Sequence, residues 1–353
     1  MATINLTEKY SKRIDERYKL KSVTDAFAGH DYDWDGSKSI KVYSIDKVGI
    51  HDYNRGATAN RFGVANELGD TLQTMTLTQD KSATFTIDRG NAIDQMNIKQ
   101  ANKKLKDIWD EEATPEIDMY RLNKWANGAG TVLINATALT KTTIVDAILK
   151  ANTALSNKLV PKQGRVLFIG ETSYATLALS DQLVGIDKLG AESVANGVVA
   201  KIGGASVVPI PDSYLPTGVT FILKHKGTSA DPMKLKTFRV QENPVGIDGD
   251  VGELRYYHDA FVLGNKADGI YVHATAATAT PTASITSNAV TLTSTGATIY
   301  YTTDGTNPKT SNTAQVYSSA ITITEDTQIK AYAKKSGGID SGILTYDAVY
   351  TAG

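Results

Sequence analysis

The chain has 353 residues, of which 37 are basic and 38 acidic, for a formal net charge of −1. That length suits two domains better than one, and a hydrophobic fraction of 41% fills real cores, which excludes global disorder. No apolar run is long enough for a membrane span, the start MATINLTEKYSKR lacks the apolar stretch of a secretory signal, and zero cysteines exclude disulfides, thiolate metal sites and cysteine nucleophiles.

The missing cysteines fit a protein made in a reducing cytoplasm. Balanced charge argues against a dedicated nucleic-acid-binding domain, whose affinity would come from phosphate neutralisation. Locally, Lys9, Lys12, Arg13, Arg17, Lys19 and Lys21 outweigh Glu8, Asp15 and Glu16 on a helix predicted over about 5–20, and we read this as a solvated face. Ser39–Ile45 and Thr71–Asp88 then alternate as strands around a Gly-, Asn- and Arg-rich stretch, Asn54–Gly69. They predict a hairpin over 33–90 with arms of about 15 residues, reaching ~50 Å at ~3.3 Å per residue. A compact body of this size has a radius of gyration of only ~18 Å. A polar tip on such arms points to contact with another molecule.

Asn91–Gly128 carries an imperfect helical stripe (Ile93, Met96, Ala101, Leu105, Ile108, Ile117, Leu122), with a break expected at Thr114-Pro115. An α/β portion over about 140–230 follows. It has a helix from Thr143 to Asn157, a buried strand Arg165–Ile169, a helix starting at Glu171 and a strand Val207–Ile210. Met233–Gln241, Glu253–Leu263 and Gly269–His273 read as strands that close this first domain, residues 1–273. Residues 274–283 (ATAATATPTA) hold no large apolar residue and read as a linker. Beyond it, Ala289–Thr293, Thr298–Thr303, Ala320–Thr324 and Gln328–Ala333 alternate between turns at Asp304-Gly305, Asn307-Pro308 and Gly337-Gly338. That pattern predicts a separate all-β sandwich over 284–353. Its expected core is Val290, Leu292, Ile299, Tyr301, Ile321, Ile323, Ile329 and Tyr332.

This order of elements resembles the Hong Kong 97-type coat protein of tailed bacteriophages. The stretches KYSKRIDERY (9–18), DYDWDGSKSIKVYSI (31–45), 67–88 and EIDMYRLNKWAN (116–127) are similar to phage capsid sequences. The resemblance covers about residues 1–273. It implies an α+β fold with an N-terminal arm (1–32), an extended hairpin loop (33–90), a spine helix (91–128) in a peripheral domain, an axial domain (about 140–230) and returning peripheral strands (231–273). The tail, GATIYYTTDGTNP (296–308), is similar to the immunoglobulin-like β-sandwich at the C-terminus of chitobiase-like and bacterial surface proteins. Thr303-Asp304-Gly305 and Pro308 carry that match.

Site motifs are weak beside this. Asp31-Tyr32-Asp33-Trp34-Asp35-Gly36 matches the first half of a calcium loop, but Val42 stands where the bidentate Glu belongs, so an acidic turn is the better reading. His30-Asp31, His51-Asp52 and His258-Asp259 are not built-in dyads, because neighbours on a strand point to opposite faces. Gly164–Gly170 lacks the GKS or GKT ending of a phosphate loop. Some capsids of the resembled fold cross-link a hairpin lysine to a neighbour's asparagine; Lys38, Lys41 and Lys47 lie near the hairpin without matching that pattern. We assign no catalytic, cofactor-binding or metal residues, and expect no enzyme activity and no cofactor.

The leading reading is a major capsid protein, made in the host cytoplasm and located in the virion capsid. It would self-assemble into pentamers and hexamers of an icosahedral shell, with an outward-facing Ig-like domain. Implied partners are its own copies, scaffolding and portal proteins, packaged DNA through weak non-specific contacts, and host-surface glycans at 284–353; no membrane is involved. The alternatives are a secreted or surface glycan-binding protein, or another phage structural component of tail or baseplate. Because the arm begins within ten residues of Met1, we expect no removable N-terminal segment and a separately encoded scaffold. With its own core and an undocked linker, the β-domain is expected to be dispensable for the shell.

Overall fold

The computed structural model of the chain describes residues 19–29, 32, 34, 38–45, 50, 52–56, 58–63, 67–94, 100–180 and 200–351. The predicted helix over 5–20 falls almost entirely outside these, as do the calcium-like carboxylates, His30, His51 and Lys47.

Strands β1 (Ser39–Ile45) and β2 (Asp70–Thr76) pair antiparallel, from Ser39 opposite Thr76 to Ile45 opposite Asp70. Each arm has seven residues, so the ladder spans about 23 Å at ~3.3 Å per residue, about half the expected reach. The second half of the expected long arm is instead β3 (Gln79–Asp88), which leaves the hairpin. The break falls at Leu77, fully buried with Met75 against Trp34, Ala230 and Leu263. Alternation of side chains is the same for a hairpin arm and for a strand in a sheet, so the period alone could not place this break.

The spine is not one unbroken helix. It is described as α1 (Arg89–Asp94), α2 (Ala101–Ile108) and α3 (Thr114–Asn127), the last two joined by a π-helical turn at Trp109–Ala113. Pro115 has no N–H to return to the preceding turn, and the backbone widens just before it, with Thr114 N–H bonded to the Trp109 carbonyl. Ile93, assigned to the apolar stripe from sequence, is 60% exposed. Helix α3 buries Ile117, Asp118, Arg121, Leu122, Trp125 and Ala126, positions at three-, four- and five-residue steps along one face.

Next come β4 (Thr131–Ile134), α4 (Ile144–Asn157), β5 (Arg165–Gly170), α5 (Glu171–Ala178), β6 (Ala200–Ile202), β7 (Ala205–Ile210), β8 (Val219–His225) and β9 (Ser229–Ala230). They are followed by β10 (Met233–Glu242), β11 (Gly249–His258), β12 (Phe261–Val262) and β13 (Ile270–Ala274). The central sheet runs β4-β13-β8-β5-β7-β6, with β5/β7 and β13/β4 parallel. All six residues of β5 are buried, because helices cover both faces. Val166 and Phe168 meet α3 residues Leu122 and Trp125, while Leu167 and Ile169 meet Ile144, Ile148 and Leu155 of α4. Residues 270–273 of the strand expected over 269–273 among the peripheral strands belong to this sheet as β13, whose five residues are all buried. The smaller sheet β10-β11-β3 packs one face on α2 and the π turn through Phe85, Leu254, Tyr256, Leu105 and Trp109.

The last part is the expected sandwich, formed by β14 (Thr282–Thr286), β15 (Ala289–Thr293), β16 (Thr298–Thr302), β17 (Gln315–Val316), β18 (Ile321–Thr322), β19 (Thr327–Lys334) and β20 (Leu344–Ala348). Its sheets β14-β15-β18 and β17-β16-β19-β20 enclose Val290, Leu292, Ile299, Ile323 and Ile329. Tyr332 is not part of this core; it stacks on Tyr300 at 5.3 Å on the opposite face of its sheet.

The expectation of an undocked linker is overturned. Ala274 ends β13, Thr275 N–H reaches the Gly218 carbonyl at 2.7 Å, Ala277 packs on the central core, and Thr278 N–H reaches the Ile339 carbonyl at 3.0 Å.

Candidate assembly surfaces and the polar network behind them

Three buried carboxylates hold the N-terminal arm, the spine and the sheets together. Asp118 on α3 accepts from Ser22 Oγ at 2.7 Å, Val23 N–H at 2.9 Å and Thr24 Oγ1 at 2.5 Å. Arg121, one turn on, donates to Thr24 Oγ1 and Asp25. Asp231 accepts from Trp125 Nε1–H at 2.9 Å, Gly29 N–H at 3.0 Å and Ser229 Oγ at 2.6 Å. Lys224 lies 3.4 Å from the centre of the Trp125 ring and donates to Ser229 Oγ. Burial pushes its ammonium down to about 7, against the opposing pull of Asp231. Asp259 accepts from Thr78 N–H and Tyr120 OH at 2.8 and 2.7 Å, fixing the turn where the hairpin gives way to β3.

His258, beside Asp259 in sequence, points elsewhere: it lies between the Tyr120 and Tyr256 rings, 3.5 Å from Glu116. Burial lowers its basicity, and also that of His273, which stacks on Phe221 at 4.9 Å. Among the described residues no cluster of three or more metal-ligating side chains occurs. The aspartate network was not legible in the sequence, where Asp118, Asp231 and Asp259 stand among ordinary surface acids. Their only local sign is a carboxylate inside an apolar stripe, as at Asp118 between Ile117 and Leu122.

Apolar and polar surfaces are left exposed among the described residues. The hairpin and its tip present Tyr43, Ile45, Ile50, Tyr53, Phe62 and Leu68 to solvent, with Ile50 fully exposed and Phe62 at 86%. Lys38 and Lys41 sit on this hairpin or at its foot, Lys38 with its backbone carbonyl holding Leu77 N–H. The outer face of β10-β11-β3 forms a cleft of about 590 Å³ lined by Ser82, Thr84, Leu235, Thr237, Arg239 and Arg255, among others. Its charges are paired, Arg255 with Asp80 at 2.7 Å and Arg239 with Glu253. No helix among the described residues is long and apolar enough to cross a membrane.

Solved structures share this arrangement. A chain from Mycobacterium phage Che8 superposes with a TM-score of 0.60 at 18% identity, covering 77% of this chain and 98% of that one. A chain of the capsid of cyanophage P-SCSP1u gives 0.60 at 13% identity, covering 76% and 92%. One from the mature capsid of bacteriophage PhiM1 gives 0.59 at 11%, covering 76% and 91%. This is the fold of phage capsid chains. The capsid fold takes up about three quarters of the protein, the share left by the C-terminal module. Residues 275–345, which include most of the segment read as a linker, match the family described as chitobiase/beta-hexosaminidase C-terminal domain. Comparison with curated protein sequences gives no match. The Hong Kong 97-type resemblance and the Ig-like tail both hold, and the α+β capsid fold with an appended β-sandwich is the observed architecture.

Proposed function

We propose that the chain is the major capsid protein of a tailed phage, a non-enzymatic shell subunit. It packs as pentamers and hexamers in which the hairpin of one copy lies on its neighbour. The observation that carries this is capsid-fold coverage of nearly the whole length of the matched chains, combined with an apolar hairpin that its own body leaves uncovered. Quasi-equivalent shells need such heterologous contacts, one patch fitting a different patch next door. Tyr43, Ile45 and Phe62 supply apolar area that becomes favourable only when buried by a second copy, at ~25 cal/mol per Å². The module at 284–353 carries four lysines against five acidic residues, which suits the outer surface better than the DNA side, with host glycans as its ligand class. Scaffolding and portal proteins and weak DNA contacts complete the partner set, and synthesis is in the host cytoplasm.

Expression of the chain with a scaffold, size-exclusion chromatography and electron microscopy test the reading. Closed icosahedral shells are expected; monomers, tubes or rings under shell-forming conditions refute it. Hydrogen exchange at 38–76 should slow on assembly, and equal exchange in free subunits and shells rules out the hairpin as the neighbour contact.

A further inference from the structure

The β-domain does not hang from the capsid domain; it is built into it. Ile339, in the loop between β19 and β20, is 4% exposed and belongs to the central core that contains Trp125 and Phe168. Ile343 N–H bonds the Gly130 carbonyl at 3.0 Å, and Asp340 N–H bonds Asn127 Oδ1 at 3.0 Å. From the turn after β16, Lys309 Nζ donates to the carbonyls of Asn127 and Ala129 at 2.7 and 2.8 Å, the open C-terminal end of α3. Asn307 Nδ2 donates to the Gly264 carbonyl at 3.0 Å, while Gly264 N–H and the Val262 carbonyl hold the side chain of Gln73 on β2. The fit is close on both sides. A Cβ at Gly264 would lie 2.4 Å from Thr310 Oγ1, and one at Gly342 would lie 3.0 Å from the Val132 nitrogen.

We infer that the C-terminal module is an intramolecular brace, which completes the core of the capsid domain through Ile339 and sets the base of the hairpin through the chain Asn307–Gly264–Gln73. Its role is therefore internal as well as any it has at the surface. An isolated capsid domain lacks an occupant for the Ile339 site and a cap for the end of α3. Buried apolar surface there would meet water, and the Asn127 and Ala129 carbonyls would lose their donor. This makes the module necessary where the linker's composition had suggested it was dispensable. The inference holds whether or not the chain builds shells, because it concerns one subunit.

Hydrogen exchange on the unassembled 353-residue chain tests it, comparing wild type with Ile339→Ala. Exchange at 128–134 and 262–266 should accelerate at least about tenfold, while the β19 amides of the module keep their protection. Exchange at those capsid-domain segments within about twofold of wild type overturns the brace, as does loosening confined to the module. Should Ile339→Ala collapse the capsid domain while 282–348 stays protected, the brace is supported. Asn307→Ala, a milder change, reads the hairpin arm of the inference separately. Faster exchange at 71–76 is expected, and an unchanged rate there removes the link to the hairpin.

Discussion

Replacing Asp231 by alanine tests the polar network most directly. The carboxylate is fully buried and accepts from Trp125 Nε1–H, Gly29 N–H and Ser229 Oγ. Against burial, it also raises the basicity of Lys224, whose Nζ donates to the Phe27 carbonyl at 3.3 Å and Ser229 Oγ at 2.6 Å and lies over the Trp125 ring. Asp231→Ala orphans an indole N–H and a backbone N–H and removes the charge that favours protonated Lys224, so the buried amine gives up its proton more readily. Each buried donor left without its acceptor costs about 1–3 kcal/mol, so the two together cost about 2–6 kcal/mol. Against the ~5–15 kcal/mol that usually separates folded from unfolded chains, that is a large fraction of the whole. Asp231→Asn keeps an acceptor for Trp125 but loses the charge, and should cost about 1–3 kcal/mol. Adding Lys224→Met to Asp231→Ala removes the buried amine that has lost its charged neighbour, so the double variant should recover part of the loss. The expected coupling is about 0.5–3 kcal/mol. Urea denaturation followed by tryptophan fluorescence measures wild type, both Asp231 variants, Lys224→Met and the double variant. The reasoning fails if Asp231→Ala costs under about 1 kcal/mol, or if Lys224→Met adds fully to its damage.

Gly29→Ala should release the N-terminal arm, since its Cβ would sit 1.8 Å from the Ser229 carbonyl oxygen; faster exchange at 19–29 with an intact central sheet is the expected readout. Lys224 and Lys309 are both held to about 7 by burial, below their ordinary 10.5. The unfolded chain therefore binds more protons than the folded one between these values, and stability should rise with pH across 7 to 10.5. Denaturation midpoints will show this rise, and Lys224→Met should flatten it. Burial lowers His273 below its usual 6.5, so the unfolded chain takes up its proton first and stability should fall as pH drops through 6.5. His273→Phe, which keeps the stack on Phe221, should weaken that acid sensitivity in the same measurement, and an unchanged pH slope would show that His273 does not carry it.

Local order was legible from the residues alone. Helix α4 begins one residue after the expected Thr143 and ends at the expected Asn157, and β5 extends the expected strand by a single residue. The sandwich strands fall within a few residues of their predicted spans because alternation and Asp-Gly or Gly-Gly turns are local signals. The break in the spine was visible as Pro115, since a missing N–H acts within one helical turn. Partnership was not legible. Thr71–Asp88 carries one continuous alternation, yet Asp70–Thr76 pairs with β1 and Gln79–Asp88 with β11, a choice made by residues more than 160 positions away. Asp118, Asp231 and Asp259 became interior hubs only when α3 and the sheet closed over them. The small residues of 274–283 say that nothing bulky docks there, but not that Ile339 and Lys309, far along the chain, reach back to bind the end of the spine. Periodicity and turn chemistry are written into neighbouring residues. Burial of a charge or the seating of one domain on another depends on contacts distant in the chain, and only the tertiary structure sets those.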